Sequence, residues 1–179
     1  MAGVWKIFNF EDIHSHVEGE GRVLSVDFTE AAHPQIPGQP FTLGVHPWNA
    51  SKDVDWEDFE KALENKDIVG IGEAGLDSLK GAALEVQLPV FIKQIELSVK
   101  HRLPLVIHNV RNSHNILALH KKYNPDVPWI IHGFRGNLQQ ARQLLDAGLH
   151  LSLGKNARPE VAAISSPFIH KESDEEKTQ

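Results

Sequence analysis

Eight short apolar segments recur along the chain, and most are separated by stretches with the periodicity of an amphipathic helix. Continuous apolar runs such as LVIH and WIIH are typical of strands buried on both faces of a parallel sheet. Strands that alternate with helices indicate such a sheet, and eight of them indicate a (β/α)8 barrel of the TIM type. The predicted strands are KIFNFEDIH, RVLSVDF, FTLGVH, DIVGIGE, PLVIHNV, WIIHGF, HLSLG and PFIHKES.

Helices are clearest at VDWEDFEKALEN, LPVFIKQIELSVKHR, NSHNILALHKKY and NLQQARQLLDAG. Asn112 or Ser113, and Asn137, are suitable N-caps for the last two, and Gly148 is a suitable stop.

Three features depart from a regular barrel. The chain has 179 residues, whereas such barrels usually need about 200 or more. Residues 29–40 read as a loop, and no helical pattern follows the eighth strand. We therefore expect a distorted barrel whose C-terminal end lacks the usual final helix.

Length and composition predict one globular domain over residues 1–179, with hydrophobic residues making up 41% of the chain. No apolar run reaches the roughly 20 residues needed to cross a bilayer. The N-terminus lacks the basic start and long apolar stretch of a signal peptide. We therefore expect a cytoplasmic protein that has no membrane partner.

The formal net charge of −6 argues against broad electrostatic binding of nucleic acid. Divalent ions held in a site would still attract a phosphate locally. The chain has no cysteine, which excludes disulfides and thiolate ligands, but it has 11 histidines. Any metal site must therefore use imidazole and carboxylate, a combination that suits zinc, manganese, iron or nickel, or magnesium where carboxylates dominate.

The motif DIHSH at residues 12–16 ends the first predicted strand. His14 and His16 would project from one face of that strand, because side chains alternate along it. In a parallel barrel, the C-terminal ends of the strands form the mouth, where active sites lie. Taken alone, this pair fits ordinary polar contacts as well as it fits a metal site.

Three further ionisable residues end predicted strands. Glu73 closes the fourth, His108 the fifth and His132 the sixth, each after several apolar residues. A lone buried histidine is usually a core residue with a hydrogen-bond partner. Several strand ends that converge on one mouth are better explained by metal coordination, since unpaired buried charge is costly.

The segment GIGEAG at residues 70–75 also matches the G-x-G-x-x-G pattern of dinucleotide sites. Such a site needs a helix to open at the third glycine. Here LDSLKG follows and reads as a loop, and Glu73 would lie beside the phosphates. We favour glycines that let the backbone bend around a glutamate ligand.

Together these stretches resemble the TatD-related metal-dependent hydrolases. The order and spacing of the matching motifs extend from about residue 10 to residue 175. The motifs are DIHSH, GVHPW, GIGEAGLD, LPLVIHNVR and IIHGFRG.

The resemblance implies a distorted (β/α)8 barrel with two divalent metal ions, zinc, magnesium or manganese, at its mouth. By this resemblance His14 and His16 hold one ion. His108 and His132 hold the other, and Glu73 bridges the two.

The family also carries an aspartate at the end of its last strand, in a Glu-Thr-Asp motif. Here Glu172-Ser173-Asp174 stands in that place. The resemblance assigns Asp174 to the first ion and to accepting the proton of the attacking water. Family members continue with a further helix, whereas five residues follow Asp174 here.

Other residues near the predicted mouth have two interpretations each. Arg111 and Arg135 follow ligand histidines by three residues, so they grip a substrate phosphate or are solvated loop residues. His46 contacts substrate or is simply packed. Asp12 orients a neighbour or forms a structural salt bridge. Trp48 packs, or stacks on a base.

Three functions remain open at this point. The first is a metal-dependent phosphodiesterase with DNA as its substrate, which the resemblance implies. The second is a hydrolase of a small amide, lactone or phosphoester that uses the same two ions, because a fold does not define a substrate. The third is a truncated, inactive barrel that binds metal or a partner without catalysing a reaction, suggested by the missing final helix. No protein partner is predicted.

Overall fold

The computed structural model describes residues 5–30 and 37–174. Eight parallel strands form one sheet, and their order in space follows their order in the chain. This confirms the predicted barrel. The strands are β1 (Asp12–Ser15), β2 (Arg22–Asp27), β3 (Phe41–Gly44), β4 (Ile68–Asp77), β5 (Leu105–Val110), β6 (Trp129–Ile131), β7 (His150–Leu153) and β8 (Ile169–Lys171).

All four predicted helices are present. A fifth, of only four residues, was too short to predict from periodicity. The helices of the described residues are α1 (Trp56–Ala62), α2 (Leu84–His101), α3 (Ser113–Tyr123), α4 (Leu138–Asp146) and α5 (Pro159–Ala162). Within those residues, no helix is long and apolar enough to cross a membrane.

The helix termini follow the sequence in part. Asn137 forms a reciprocal capping box with Gln140, and Gly148 has a positive φ of 87° just after α4. Asn112 precedes α3 but does not cap it with its side chain. Its amide instead donates to Ser78 Oγ and to the Val110 carbonyl oxygen, both at 2.8 Å.

The predicted first strand is wrong over its opening residues, because Lys6–Asn9 forms a 3₁₀ turn. Ile7 of this turn is fully buried in an apolar cluster with Ile13 of β1, Val106 of β5 and Ile130 of β6. A short apolar run such as this one can form either a buried turn or a strand, so periodicity alone could not distinguish the two. The turn covers the end of the barrel opposite the mouth.

A second and larger cluster lies between the sheet and the helices. Phe59, Phe91, Ile95, Ile116 and Trp129 are completely buried in it. Each such side chain contributes about 1.5–3 kcal/mol through removal of apolar surface from water. The strands that carry the mouth residues are therefore packed against apolar side chains on both of their faces.

The barrel is distorted. The register shifts between β1 and β2, between β3 and β4, and between β4 and β5. In the predicted loop at residues 29–40, positions 31–36 lie outside the described residues, and the remaining positions contain no helix.

The segment after β8 returns to β1 and nearly closes the barrel. Asp174 N donates to the carbonyl oxygen of His14 at 3.1 Å. Ser173 N donates to Asp12 Oδ1 at 3.0 Å, and Ser173 Oγ donates to Asp12 Oδ2 at 2.6 Å. Asp12 therefore joins the two ends of the sheet. The predicted absence of a final helix concerns residues 175–179, which lie outside the described residues.

Candidate metal centre

Glu73 lies at the centre of the mouth on β4, a strand that is buried along its whole length. The Glu73 residue is only 6% exposed. The preceding Gly72 has a φ of 149°, and a Cβ there would come within 2.7 Å of Val106. Only glycine fits this close approach of β4 to β5, so the glycines of the motif do shape the backbone around the glutamate, as expected.

One oxygen of Glu73 faces three histidines. Its Oε1 lies 2.6 Å from His132 Nε2, 2.7 Å from His108 Nδ1 and 3.0 Å from His46 Nε2. His108 and His132 come from β5 and from the end of β6, where the sequence placed them. The neighbouring strand ends thus converge on one carboxylate.

The other oxygen of Glu73 faces the motif that ends β1. Its Oε2 lies 3.5 Å from His14 Nε2 and 3.9 Å from His16 Nε2. Asp174 Oδ1 lies 3.7 Å from the Nε2 atom of each of these histidines. The segment after β8 therefore brings Asp174 beside the two histidines with which it was predicted to hold an ion.

Three sets of these side chains could each hold a metal ion, with ligand atoms within 4.8 Å of one another. Two sets share Glu73 and two share His14, so the three sets adjoin one another. The sets are His14, His16 and Glu73; His14, His132 and Asp174; and His46, Glu73 and His108.

The residues fit a cation because polar atoms are buried without partners. Both ring nitrogens of His14, and Nδ1 of His132, have no hydrogen-bond partner among the described residues. An unsatisfied buried polar atom costs about 1–3 kcal/mol. A bound cation would accept the His14 lone pair and remove this cost.

The protonation states of His14 and Glu73 also suit a cation. Burial lowers the pKa of His14 to about 3, with the nearby charge of His132 as a second cause, so its ring is neutral. Burial alone would raise the pKa of Glu73, but the charge of His132 and hydrogen bonds from histidines hold it well below its usual range. Burial opposes a charge on His132, yet Glu73 raises its pKa well above the usual value, so a metal ion held by this ring would have to displace a proton from it.

Asp77, the last residue of β4, fixes the orientation of His108 and was not assigned a role from the sequence. Its Oδ2 lies 2.9 Å from His108 Nε2 and accepts a 2.7 Å hydrogen bond from Trp48 Nε1. Its Oδ1 accepts from the backbone N–H groups of Leu79 and Lys80 at 2.8 and 3.0 Å. The signal in the sequence was a carboxylate at the end of GIGEAGLD, followed by a turn.

Carboxylate oxygens thus face both ring nitrogens of His108, Asp77 Oδ2 at Nε2 and Glu73 Oε1 at Nδ1. With Nε2–H donating to Asp77, Nδ1 is the nitrogen that would offer its lone pair to a cation. A carboxylate behind a histidine ligand is a common support in metal sites.

His46 lies closer to the centre than a simple substrate contact would require. Its Nδ1 accepts a hydrogen bond from Trp48 N at 3.2 Å. In the neutral ring the proton is therefore on Nε2, which points to Glu73. This tautomer donates a hydrogen bond rather than a lone pair. The expected substrate contact stays a prediction.

Glu172 is a second buried carboxylate without a role assigned from the sequence. Its Oε2 lies 3.9 Å from His132 Nδ1 and accepts a short hydrogen bond from Ser152 Oγ. It therefore lies behind His132 as Asp77 lies behind His108. The resemblance marked the residue only as part of the Glu-Ser-Asp motif.

The two candidate phosphate-binding arginines differ in position. Arg135 Nη2 lies 3.9 Å from Asp174 Oδ2, and its side chain is 63% exposed. Arg111 is exposed, with a positive φ of 58°, and is not among the residues that line the cleft. Neither arginine lines the cleft, but the structure brings Arg135 beside the candidate ligand Asp174.

The mouth opens into a cleft of about 540 Å³, a size suited to a small molecule or part of a polymer. Its lining combines the candidate ligands with acidic and aromatic residues. The lining residues are His16, Leu24, Ser25, Asp27, Glu30, His46, Trp48, Asn49, Glu73, His108, His132 and Asp174.

Comparison with known proteins shows which family this chain is similar to. A family model described as TatD related DNase matches residues 25–174. Over 119 residues, the chain is 35% identical to the uncharacterized metal-dependent hydrolase YjjV of Escherichia coli (strain K12), covering 63% of this chain and 45% of that protein. Over 128 residues, it is 31% identical to Deoxyribonuclease Tat-D of Schizosaccharomyces pombe, covering 63% and 41%.

A third relative is a 3'-5' ssDNA/RNA exonuclease TatD of Erwinia billingiae. It is 31% identical over 120 residues, which cover 63% of this chain and 44% of that protein. The chain thus spans less than half the length of each of these relatives.

Solved structures show the same fold. The crystal structure of the YjjV TatD homolog from Escherichia coli superposes with a TM-score of 0.72 at 23% identity, covering 94% of this chain and 80% of that one. A TatD family hydrolase from Entamoeba histolytica gives 0.64 at 25% identity, covering 75% and 50%.

Proposed function

Because this chain belongs to the TatD-related DNase family, we propose that it is a metal-dependent hydrolase of phosphodiester bonds and that DNA is its substrate. The observation that carries the proposal is the buried Glu73 carboxylate, which four strand ends surround with imidazoles. Relatives named as a deoxyribonuclease and as an exonuclease support the choice of substrate.

We assign two divalent ions, zinc, magnesium or manganese, to this centre. His14 and His16 would hold the first together with Asp174. His108 and His132 would hold the second, with Glu73 between the two. The unpartnered nitrogens of His14 support this assignment. Bound ions of this kind acidify a coordinated water and stabilise negative charge on a phosphoryl group.

The proton of the attacking water would pass to Asp174 Oδ1, which faces the first pair of histidines. Burial raises the pKa of Asp174 above its ordinary value, and a raised pKa favours proton acceptance. Glu73 would act differently. Its pKa lies well below the usual range, so it remains an anion that holds cations in place.

Two donors near the centre would orient the phosphate. His46 carries its proton on Nε2, 3.0 Å from Glu73 Oε1; once a cation occupies that oxygen, the N–H group could donate to a substrate oxygen entering the cleft instead. Arg135, beside Asp174, would neutralise a phosphate charge. Arg111 stays a phosphate-binding prediction, and Arg135 has the stronger support because it lies beside Asp174.

A small-molecule hydrolase is the second candidate, and a specific observation favours it. Asp27 and Glu30 line the cleft, and their negative charge disfavours a polyanion. An amide, lactone or small phosphoester would not meet that repulsion.

Organisation as a single domain and location in the cytoplasm stay predictions.

The test is nucleotide release from end-labelled single-stranded DNA, after chelation and after restoring magnesium, manganese or zinc. We expect release that chelator abolishes and metal restores. His14→Ala and Asp174→Asn should abolish it, whereas His114→Ala, on the exposed side of α3, should not. Folded, metal-loaded protein that releases nothing would overturn the proposal and leave the small-molecule and non-catalytic alternatives.

A further inference from the structure

Trp48 is an unusually exposed aromatic side chain beside the candidate centre. It is 44% exposed and lines the cleft together with His46 and Glu73. The exposed part of the ring faces a cleft lined by candidate metal ligands, so it offers an aromatic surface on which a ligand in the cleft can stack.

The indole is held rigidly despite this exposure. Trp48 Nε1 donates to Asp77 Oδ2 at 2.7 Å, and Trp48 N donates to His46 Nδ1 at 3.2 Å. The ring also packs at 75° against the His46 ring, with centroids 4.7 Å apart. A ring fixed before binding loses little conformational entropy when a ligand stacks on it.

The ammonium group of Lys80 lies over the Trp48 ring. Lys80 Nζ lies 4.0 Å from the centroid of the Trp48 ring. The backbone N–H groups of Leu79 and Lys80 both donate to Asp77 Oδ1. Gly81, with a φ of 85°, lies so close that a Cβ there would come within 2.9 Å of Trp48 Cα. The loop after β4 therefore packs directly on the turn that carries Trp48.

We propose that Trp48 and Lys80 form a subsite for one nucleotide of a single strand. The indole stacks on an unpaired base, and the exposed Lys80 ammonium moves to the adjacent phosphate. This inference rests on the proposed function. Combined aromatic and cationic contacts are how proteins bind single strands without reading their sequence, and a paired base cannot offer its face in this way.

The positive charge of Lys80 also counteracts the negative charge of the cleft. Asp27 and Glu30 repel a polyanion there, and the chain as a whole carries a net charge of −6. A cation beside the exposed ring offsets that repulsion on the Trp48 side. We therefore place the single strand against Trp48.

A competing role for Trp48 is purely positional, through Asp77 to His108. Two substitutions separate the roles. Trp48→Phe keeps an aromatic ring but removes the N–H donor to Asp77. Trp48→Leu removes both. Stacking predicts different results for the two variants, and positioning predicts the same result.

The measurement is the Kd of the full chain, in magnesium, for a short labelled phosphorothioate oligothymidine, and separately for a duplex. We expect about a tenfold weakening for Trp48→Leu and less than about twofold for Trp48→Phe. Lys80→Gln should lower the slope of log Kd against log salt by about one. Leu79→Ala is the matched control, because it is 62% exposed on the same loop but has no ring.

Equal losses in Trp48→Phe and Trp48→Leu would overturn the subsite in favour of positioning, and so would unchanged binding in Trp48→Leu. An unaltered salt slope in Lys80→Gln would remove Lys80 from the subsite even if Trp48→Leu does not fold. A wild-type chain that binds this strand but does not cleave the same strand with ordinary phosphodiester bonds would contradict the proposed function only. A wild-type chain that neither binds the first strand nor cleaves the second would contradict both.

Discussion

His108 Nε2 lies 2.9 Å from Asp77 Oδ2, so an acidic side chain outside the candidate ligand set determines which imidazole nitrogen faces Glu73. Asp77 is itself fixed, because both of its oxygens accept further hydrogen bonds. The orientation of the second half of the centre thus depends on a rigid turn after β4.

Replacing Asp77 with alanine should weaken metal binding about 10- to 100-fold, the usual loss when a carboxylate behind a histidine ligand is removed. Competition with a chromophoric chelator measures this directly. Asp126→Asn is the control, because Asp126 only pairs with Arg102 at the surface. Equal metal affinity in the Asp77 variant and the wild type would show that His108 does not need this support.

Metal should stabilise the fold, because ions that bind only the native state shift the unfolding equilibrium. At a free metal concentration about 100 times Kd, the free energy of unfolding should rise by about 2.7 kcal/mol per site. The thermal midpoint with and without metal measures the effect, and His14→Ala should reduce it. A low thermal midpoint that metal does not change would favour the inactive barrel over a metal-dependent enzyme.

Asp12→Ala should lower the free energy of unfolding by about 1–3 kcal/mol, because Ser173 loses its acceptors where the sheet ends meet. It should also displace the adjacent Asp174 and slow hydrolysis. Urea denaturation measures the first effect. Asp53→Ala, at an exposed position, should change neither property. If Asp12→Ala behaves in the same way, the contact with Ser173 does not hold the barrel closed.

Two histidines away from the mouth should make stability depend on pH. His150 Nδ1 and His170 Nε2 are 2.8 Å apart, and burial lowers the pKa of each to about 4, with their mutual repulsion also lowering that of His150. Because unfolding restores the ordinary pKa of 6.5, the unfolded chain binds more protons between these values. Stability should therefore be complete above about pH 6.5 and decrease as the pH falls toward 4.

The test is the urea midpoint at several pH values in this window, with metal present. His170→Asn should flatten the pH dependence, whereas His114→Asn should not. If the slope is the same in His170→Asn and in the wild type, the pair does not cause it.

The sequence predicted the barrel and the convergence of His14, Glu73, His108 and His132, because strand periodicity and the parallel sheet determine where strand ends lie. Asp77 and Trp48 were harder to assign. Their contact depends on two turns after β3 and β4 whose shapes no periodicity encodes. The sequence also did not predict the buried 3₁₀ turn that contains Ile7 or the four-residue helix α5. Segments this short can adopt more than one conformation, so their pattern of apolar residues does not determine which one forms.

The most direct test of the two-metal account is a titration of metal-free protein with manganese or zinc, recording ions bound and nucleotide release in the same samples. The account predicts that release rises with binding and is complete at two ions per chain. It also predicts that His16→Ala and His132→Ala each reduce the number of ions bound. Full release with one ion, or binding that neither substitution alters, would contradict a two-metal centre built around Glu73.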